Sequence, residues 1–318
     1  MAYGTVNADL MTTSDGVSSA GLYGFKNRII NGQMQIAQRA TSATITAGST
    51  IAAGYSTVDR FYVYCTGANV TAAQVAGSGS TKNRLQITGA ASVTAIGVGH
   101  RIEQLNSYDL ANTTATLSVD LANSLLTTVT WTAYYANTAD TFGTLASPTR
   151  TQISTGTFTV TSTVTNYNVQ ISIPAAATTG IEIVFTVGAQ TSGTFTVGNV
   201  QLEKGSTATS FDYRDYQSEL AKCQRYYYRL VSTLGTTSNS ASNLNNPVIP
   251  LKVSMRATPT LDTGSAITAV ASGSLGTAAI FSGTGVTNSS EGVYVYNSAG
   301  NWSLGVQISG DIRFTAEL

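Results

Sequence analysis

The side chains able to do chemistry are few, and the sequence spaces them far apart. There is a single histidine, His100, in GVGHRIEQL (97–105). An imidazole acting as general base needs a nucleophile presented beside it, and no G-x-S-x-G elbow or comparable turn occurs. Patterns of the H-x-E and HExxH kind and paired C-x-x-C spacings are absent, so no metal ligand is predicted. The glycines fit neither a P-loop nor a dinucleotide fingerprint, so no cofactor is predicted. His100 is expected to be a loop or partly buried residue with a hydrogen-bond partner.

Carboxylate-only chemistry such as glycoside cleavage needs two acids about 5–10 Å apart. Asp59, Glu103, Asp109, Asp120, Glu182 and Glu203 are the candidates. Most stand beside a base or a turn, as in DR (59–60), RIE (101–103) and LEKG (202–205). That is the setting of loop anchors and arginine partners, and the chain is expected not to be an enzyme. Aromatic side chains are the other resource, because their faces stack on the C–H faces of sugars while phenol tips hydrogen-bond. Trp131 is in phase with Val129 and Ala133, and Trp302 with Leu304, Val306 and Ile308, which assigns both to the core. Tyr134 shares a face with Thr130 and Thr132, while Tyr294 and Tyr296 lie opposite Val293 and Val295. These three tyrosines are the candidate glycan contacts, with a subunit interface equally open as their destination.

The elements that must position these residues are strands. Segments of period two follow one another at 57–65, 84–88, 115–121, 128–135, 157–164, 167–173, 181–187 and 194–203. Thr recurs on their polar faces, and Thr suits the pleated surface of a strand. Gly, Ser, Asn and Pro turns separate them with no long helical pattern between, which predicts a mainly β fold, an antiparallel jelly-roll sandwich. Sixteen basic residues balance sixteen acidic ones, which argues against a nucleic-acid or anionic-lipid partner. No run of eighteen apolar residues occurs, so no membrane insertion is predicted. The N-terminus lacks a basic segment followed by an apolar run, so synthesis in a cytoplasm without a secretory signal is expected. Cys65 and Cys223 cannot form a disulfide framework and are expected to be buried thiols.

One stretch breaks the rhythm. In SFDYRDYQSELAKCQRYYYRL (210–230), Tyr216, Leu220, Cys223 and Tyr227 recur at helical spacing. Asp212 and Asp215 suit the positive end of a helix dipole, and Arg225 and Arg229 the negative end. A helix over about 214–228 is predicted, followed by a polar loop at 233–247 and a second β series. The organisation expected is an N-terminal arm (1–26), a jelly-roll domain (27–213), a connecting helix (214–230) and a small C-terminal β domain (231–318). Leu220, Arg225, Tyr226 and Tyr228 are expected to pack at a subunit interface, since seventy-odd β residues bury a marginal core alone.

Five blocks occur in a telling order: KNRIINGQMQIAQR (26–39), TVDRFYV (57–63), HRIEQLNSYDL (100–110), the 197–229 segment VGNVQLEKGSTATSFDYRDYQSELAKCQRYYYR, and MRATPTL (255–261). Together they resemble the tail fibre or receptor-binding proteins of tailed bacteriophages that carry a carbohydrate-binding-module-like jelly roll. The N-terminal MAYGTVNADLMTTSDG is similar to the virion-attachment head of such proteins, which implies docking through Tyr3, Val6 and Leu10 to tail or baseplate proteins. The resemblance implies a homotrimer in the virion tail, assembled in the host cytoplasm, that binds bacterial surface polysaccharide without catalysis. A purely structural head, baseplate or decoration protein shares these signatures, and a glycan-depolymerising tailspike is the further alternative.

Overall fold

Side chains two residues apart on a strand share a face, and most of this chain is laid out by that period. A computed structural model describes residues 26–48, 54–79, 81–235, 248–262, 266–270, 292–294 and 307–318. Residues 1–25 with Tyr3, Val6 and Leu10, and also Tyr296 and Trp302, lie outside the described residues. The chain divides into two compact units, Met1–Glu219 with Leu318, and Leu220–Glu317.

Among its described residues the first unit contains eleven strands: β1 (Ser42–Ile45), β2 (Phe61–Thr66), β3 (Val70–Ala76), β4 (Asn83–Thr88), β5 (Ala95–Ile102), β6 (Thr113–Asn123), β7 (Thr128–Ala136), β8 (Arg150–Thr159), β9 (Thr165–Ile173), β10 (Ile181–Val187) and β11 (Thr194–Lys204). They form a six-stranded sheet in the order β1-β3-β4-β11-β6-β9 and a five-stranded sheet in the order β2-β5-β10-β7-β8, with every pairing antiparallel. Apart from the β3–β4 and β7–β8 hairpins, each strand is followed by one in the opposite sheet. That alternation is the jelly-roll sandwich the sequence predicts. The inner faces meet in one core, in which Val63, Val98, Phe185 and Trp131 form a single cross-strand row. Cys65 is buried in that core.

Several sequence boundaries are corrected. The pattern at 157–164 is not one strand: β8 ends at Thr159, and 160–164 turn the chain across to β9 in the other sheet. Phe158 and Val160 are nonetheless buried, so the hydrophobic phase reported burial correctly while the turn broke the strand. β1, β3, β5 and the first half of β8 are additional strands. β5 escapes a period-two search because seven of its eight residues are buried, leaving no polar face to alternate with. A short helix, α1 (Gln104–Ser107), and a 3-10 turn (Tyr108–Leu110) link β5 to β6.

The helix predicted around 214–228 is shorter. α2 covers Tyr216–Gln224, and Asp215 caps it by accepting a hydrogen bond from Ser218 N at 2.9 Å. Residues 227–235 instead form β12 (Tyr227–Gly235), paired along its whole length with β17 (Gln307–Thr315). Tyr, Val and Thr favour strands, and an available ladder partner overrides a helical spacing. The predicted loop therefore begins after Gly235, and 236–247 lie outside the described residues. β14 (Thr260–Leu261) and β15 (Ala266–Val270) also pair with β17, and β13 (Val248–Pro250) pairs with β16 (Gly292–Tyr294). Arg229 and Arg313 stand directly across β12 and β17, where like charges repel, and Asp311 bonds both, at 2.8 and 2.6 Å. Those bonds, from Arg313 first and then Arg229, pull the Asp311 carboxyl down to about 2.

On the outer face of the five-stranded sheet, two glycines of β5 carry tyrosine rings of β2. A Cβ on Gly97 would lie 2.1 Å from the Tyr64 ring, and one on Gly99 would lie 2.1 Å from the Tyr62 ring. We predict that Gly99→Ala lowers unfolding stability by about 1–3 kcal/mol through overpacking, read as a lower denaturation midpoint. Gly188→Ala, where nothing lies within 4 Å, should leave the midpoint almost unchanged.

Candidate functional site

The antiparallel register sets three rows of side chains on that outer face. One row runs Tyr64, Gly97, Thr186, Thr130, Thr157 across all five strands. The next runs Tyr62, Gly99, Val184, Thr132, Thr155, and the third places Arg101, Glu182 and Tyr134 side by side. Because Gly97 and Gly99 have no Cβ, both rings fold over β5, and they lie nearly parallel at 6.4 Å and 24°. Tyr62 is fully buried, with Tyr55 edge-on against it at 5.9 Å. Tyr64, Tyr134, Thr130 and Thr186 are half-buried, and Thr155 and Thr157 are exposed.

Beneath this surface sits a carboxylate with no exposure. Glu182 accepts hydrogen bonds from Tyr62 Oη at 2.8 Å, from Arg101 Nε at 2.7 Å and from Arg150 Nη1. Arg150 holds its guanidinium carbon 4.1 Å from the Tyr134 ring centre, and Arg101 lies over Tyr62 and Phe142 at 5.4 and 5.1 Å. Arg101 also donates to Gly143 O and Leu318 O. Burial, and then the Glu182 charge, push the Tyr62 phenol well above its usual pKa, so it stays a donor. Burial raises the Tyr64 phenol as well. The surface thus offers aromatic area and hydroxyls, while its ionic groups lie underneath and answer one another. At a strand spacing of about 4.8 Å, five strands present a strip about 19 Å long.

The acids singled out from the sequence are each engaged. Asp59 accepts from Gln38 N at 3.0 Å and pairs with Arg39; Glu103 accepts from Asn106 Nδ2 at 3.4 Å. Asp109 pairs with Arg28 at 2.7 Å, and Asp120 accepts from Asn166 and Asn199 at 2.9 and 2.8 Å. Glu203 accepts from Thr209 N at 2.9 Å and Gln201 Nε2 at 2.9 Å. Among the described residues no group of three or more His, Cys, Asp or Glu could hold a metal, and no helix is long and apolar enough to cross a membrane. His100 is buried rather than in a loop, edge-on to Phe61 at 4.9 Å, with Nε2 3.3 Å from Ile30 N and 3.1 Å from Ile30 O. Burial first, and then the Arg60 charge, drive its pKa well below the usual histidine value, against the bond to Ile30.

Of the predicted glycan contacts, Tyr134 lies on this face in the first unit, and Tyr294 ends β16 in the second. Leu220 and Arg225 are half-buried, whereas Tyr226 and Tyr228 are buried within the chain itself. Sequence reasoning passed over Tyr62, Tyr64, Gly97, Gly99 and Arg150. A signal was present: Tyr62 and Tyr64 alternate with Phe61, Val63 and Cys65, and the two glycines are themselves two apart.

No family model matches the sequence, and no curated protein matches it. Solved structures align with part of the chain. A family 4 carbohydrate-binding module, reported under "CBM4 structure and function", aligns with 56% of this chain and 99% of its own, at 15% identity and a TM-score of 0.37. TmCBM61, solved with β-1,4-galactotriose, aligns over 56% and 99% at 9% identity and a TM-score of 0.34. The enzymatically active domain of tailspike protein 4 from bacteriophage CBA120 aligns with 57% of this chain but 22% of its own, at 15% identity and a TM-score of 0.34.

Two measurements probe the buried titratable groups of the sandwich. Glu182→Ala leaves buried Arg101 and half-buried Arg150 without their shared partner and is expected to cost about 3–5 kcal/mol in a denaturation series, with Glu182→Gln losing less. His100 is depressed in the folded state, so the unfolded chain binds the extra proton. Stability from that residue is full above the unfolded value of about 6.5 and declines as pH falls below it. Thermal melts between pH 7.5 and about 5 should therefore show a falling midpoint, with a shallower slope in His100→Gln.

Proposed function

We propose that this chain is a non-catalytic glycan-binding component of a bacteriophage tail fibre, and that bacterial surface polysaccharide lies across the outer face of the five-stranded sheet. One observation carries the glycan reading: the Tyr64 ring packs over Gly97, at the head of a row that continues through the threonine hydroxyls of Thr186, Thr130 and Thr157 on the next three strands. A flat ring takes the C–H face of a sugar, and hydroxyls two residues apart supply paired donors and acceptors for its rim. Tyr134, held against Arg150, adds a second aromatic surface. The non-catalytic reading is supported by the engagement of the candidate acids, above all Glu182, which is bridged by two arginines and a phenol. Its place in a tail fibre is supported by the ordered sequence blocks, with the arm of Tyr3, Val6 and Leu10 as the attachment end.

Titration of the full chain with host surface polysaccharide tests the site. Tyr64→Ala should weaken binding about tenfold, equal to about 1.4 kcal/mol, while Tyr64→Phe keeps most of it. Unchanged affinity in a folded Tyr64→Ala, Tyr134→Ala double variant would sink this site. Chain shortening of the polysaccharide during incubation would point to a depolymerase instead. Antibody label on heads or baseplates rather than tail fibres would favour a purely structural role.

A further inference from the structure

The two sides of the sandwich are finished differently. On one side, the edges are short: β1 has four residues and β2 has six, and the chain before β2 covers its edge through Val63 N to Gly54 O and Gly48 N to Cys65 O. The core residues there, Ile45, Cys65 and Val70, are buried. On the other side, β8 and β9 are the last strands of their sheets, ten and nine residues long. Among the described residues, β8 pairs with β7 alone and β9 with β6 alone. The core between them is not sealed, because Ile153, Tyr167 and Val169 pack against it while remaining half-buried.

Soluble proteins ordinarily blunt long edges with lysine, proline or inward-pointing charge. β8 opens with Arg150, which Glu182 engages, and from Thr151 to Ile173 this chain has no Lys, Arg, Asp, Glu, His or Pro. The one interruption is a register shift opposite Ala133 and Tyr134, which leaves Ser154–Thr159 regular. We infer that the β8/β9 side is an interface on which a second copy of this chain pairs, β8 against β8. An unpaired ladder is satisfied by another extended strand. Its lack of charge removes any basis for selecting a charged partner and removes the repulsion that would oppose self-pairing. The identical strand matches it in length and in its uncharged run from Thr151 to Thr159. Antiparallel pairing of identical edges is two-fold, brings β9 beside β9, and covers Ile153, Tyr167 and Val169. It differs from the three copies that the sequence resemblance implies. Both outer faces would then lie on one side of a ten-stranded sheet, with the two Tyr64 platforms about 43 Å apart at the strand spacing; this consequence alone rests on the glycan reading.

Sedimentation equilibrium of the full chain at micromolar concentration tests the interface. The expected mass is twice 33.0 kDa. Thr159→Lys with Asn168→Lys, both at exposed edge positions, should reduce it to a single chain with unchanged circular dichroism. Val169→Lys, which drives a charge into the seam, should do the same, while Thr71→Lys on β3 should not. A monomer or trimer in the parent protein, or a dimer unmoved by the edge lysines, would overturn the interface. Polysaccharide titration of the same variants separates the two readings: a dimer that binds no glycan removes the site and leaves the interface, and a monomer that binds removes the interface and leaves the site.

Discussion

A carboxylate without solvent must be neutralised where it sits, and Glu182 imposes that requirement on the whole outer face of the five-stranded sheet. It draws Arg101 from the neighbouring strand, Arg150 from the start of β8 and the Tyr62 hydroxyl from two strands away. Each partner then fixes something else. Arg150 lies on Tyr134, Arg101 lies on Tyr62 and Phe142, and Tyr62 needs a glycine beneath it. The aromatic surface is thus held from below by ion pairs centred on the buried Glu182. A platform held in this way loses little freedom when a ligand settles on it, which favours binding.

A second constraint closes one end of the sandwich. The segment that begins at Lys26 carries few strand bonds, so its backbone is satisfied by side chains. Asn31 bonds Ile36 through both N–H and C=O and also reaches Asp59 O, at 2.8–3.0 Å. Asn27 accepts from Ile29 N and Leu202 N, and Arg214 donates to Ile29 O and Asn27 O. Asp212 N donates to Gln201 Oε1, and Glu203 holds Thr209. Four of the blocks that carry the family resemblance, at 26–39, 57–63, 100–110 and 197–229, supply these residues and Arg60, whose Nη2 donates to Arg101 O at 2.7 Å. Their distinctive asparagines, acids and arginines are explained by buried polar satisfaction. Chemistry on a ligand is not needed to account for them.

Some of this was readable from residues alone, and the reason is locality. Strand alternation is a property of consecutive backbone, so the pattern at 181–187 coincides with β10, Trp131 points inward, and Tyr134 points outward. The balance of charge and the spacing of turns likewise indicate a hydroxyl-rich antiparallel sandwich. Residues 227–230 show where locality fails: their spacing continues a helical stripe, yet the β17 ladder more than eighty positions later makes them a strand.

The platform itself was decided only by tertiary structure. Tyr62 and Tyr64 were visible as an outward phase, and Gly97 and Gly99 as glycines two apart, but their meeting depends on the register of β2 against β5. β5 carries no alternation of its own because both its faces are covered. Glu182 looked like any acid within a strand, and its three partners come from positions 62, 101 and 150. The sequence by itself determined which side chains could face outward; which of them pack over glycine, which are buried and which charges cancel was decided by the pairing of strands distant along the chain, because burial and charge neutralisation arise only when those strands are brought together.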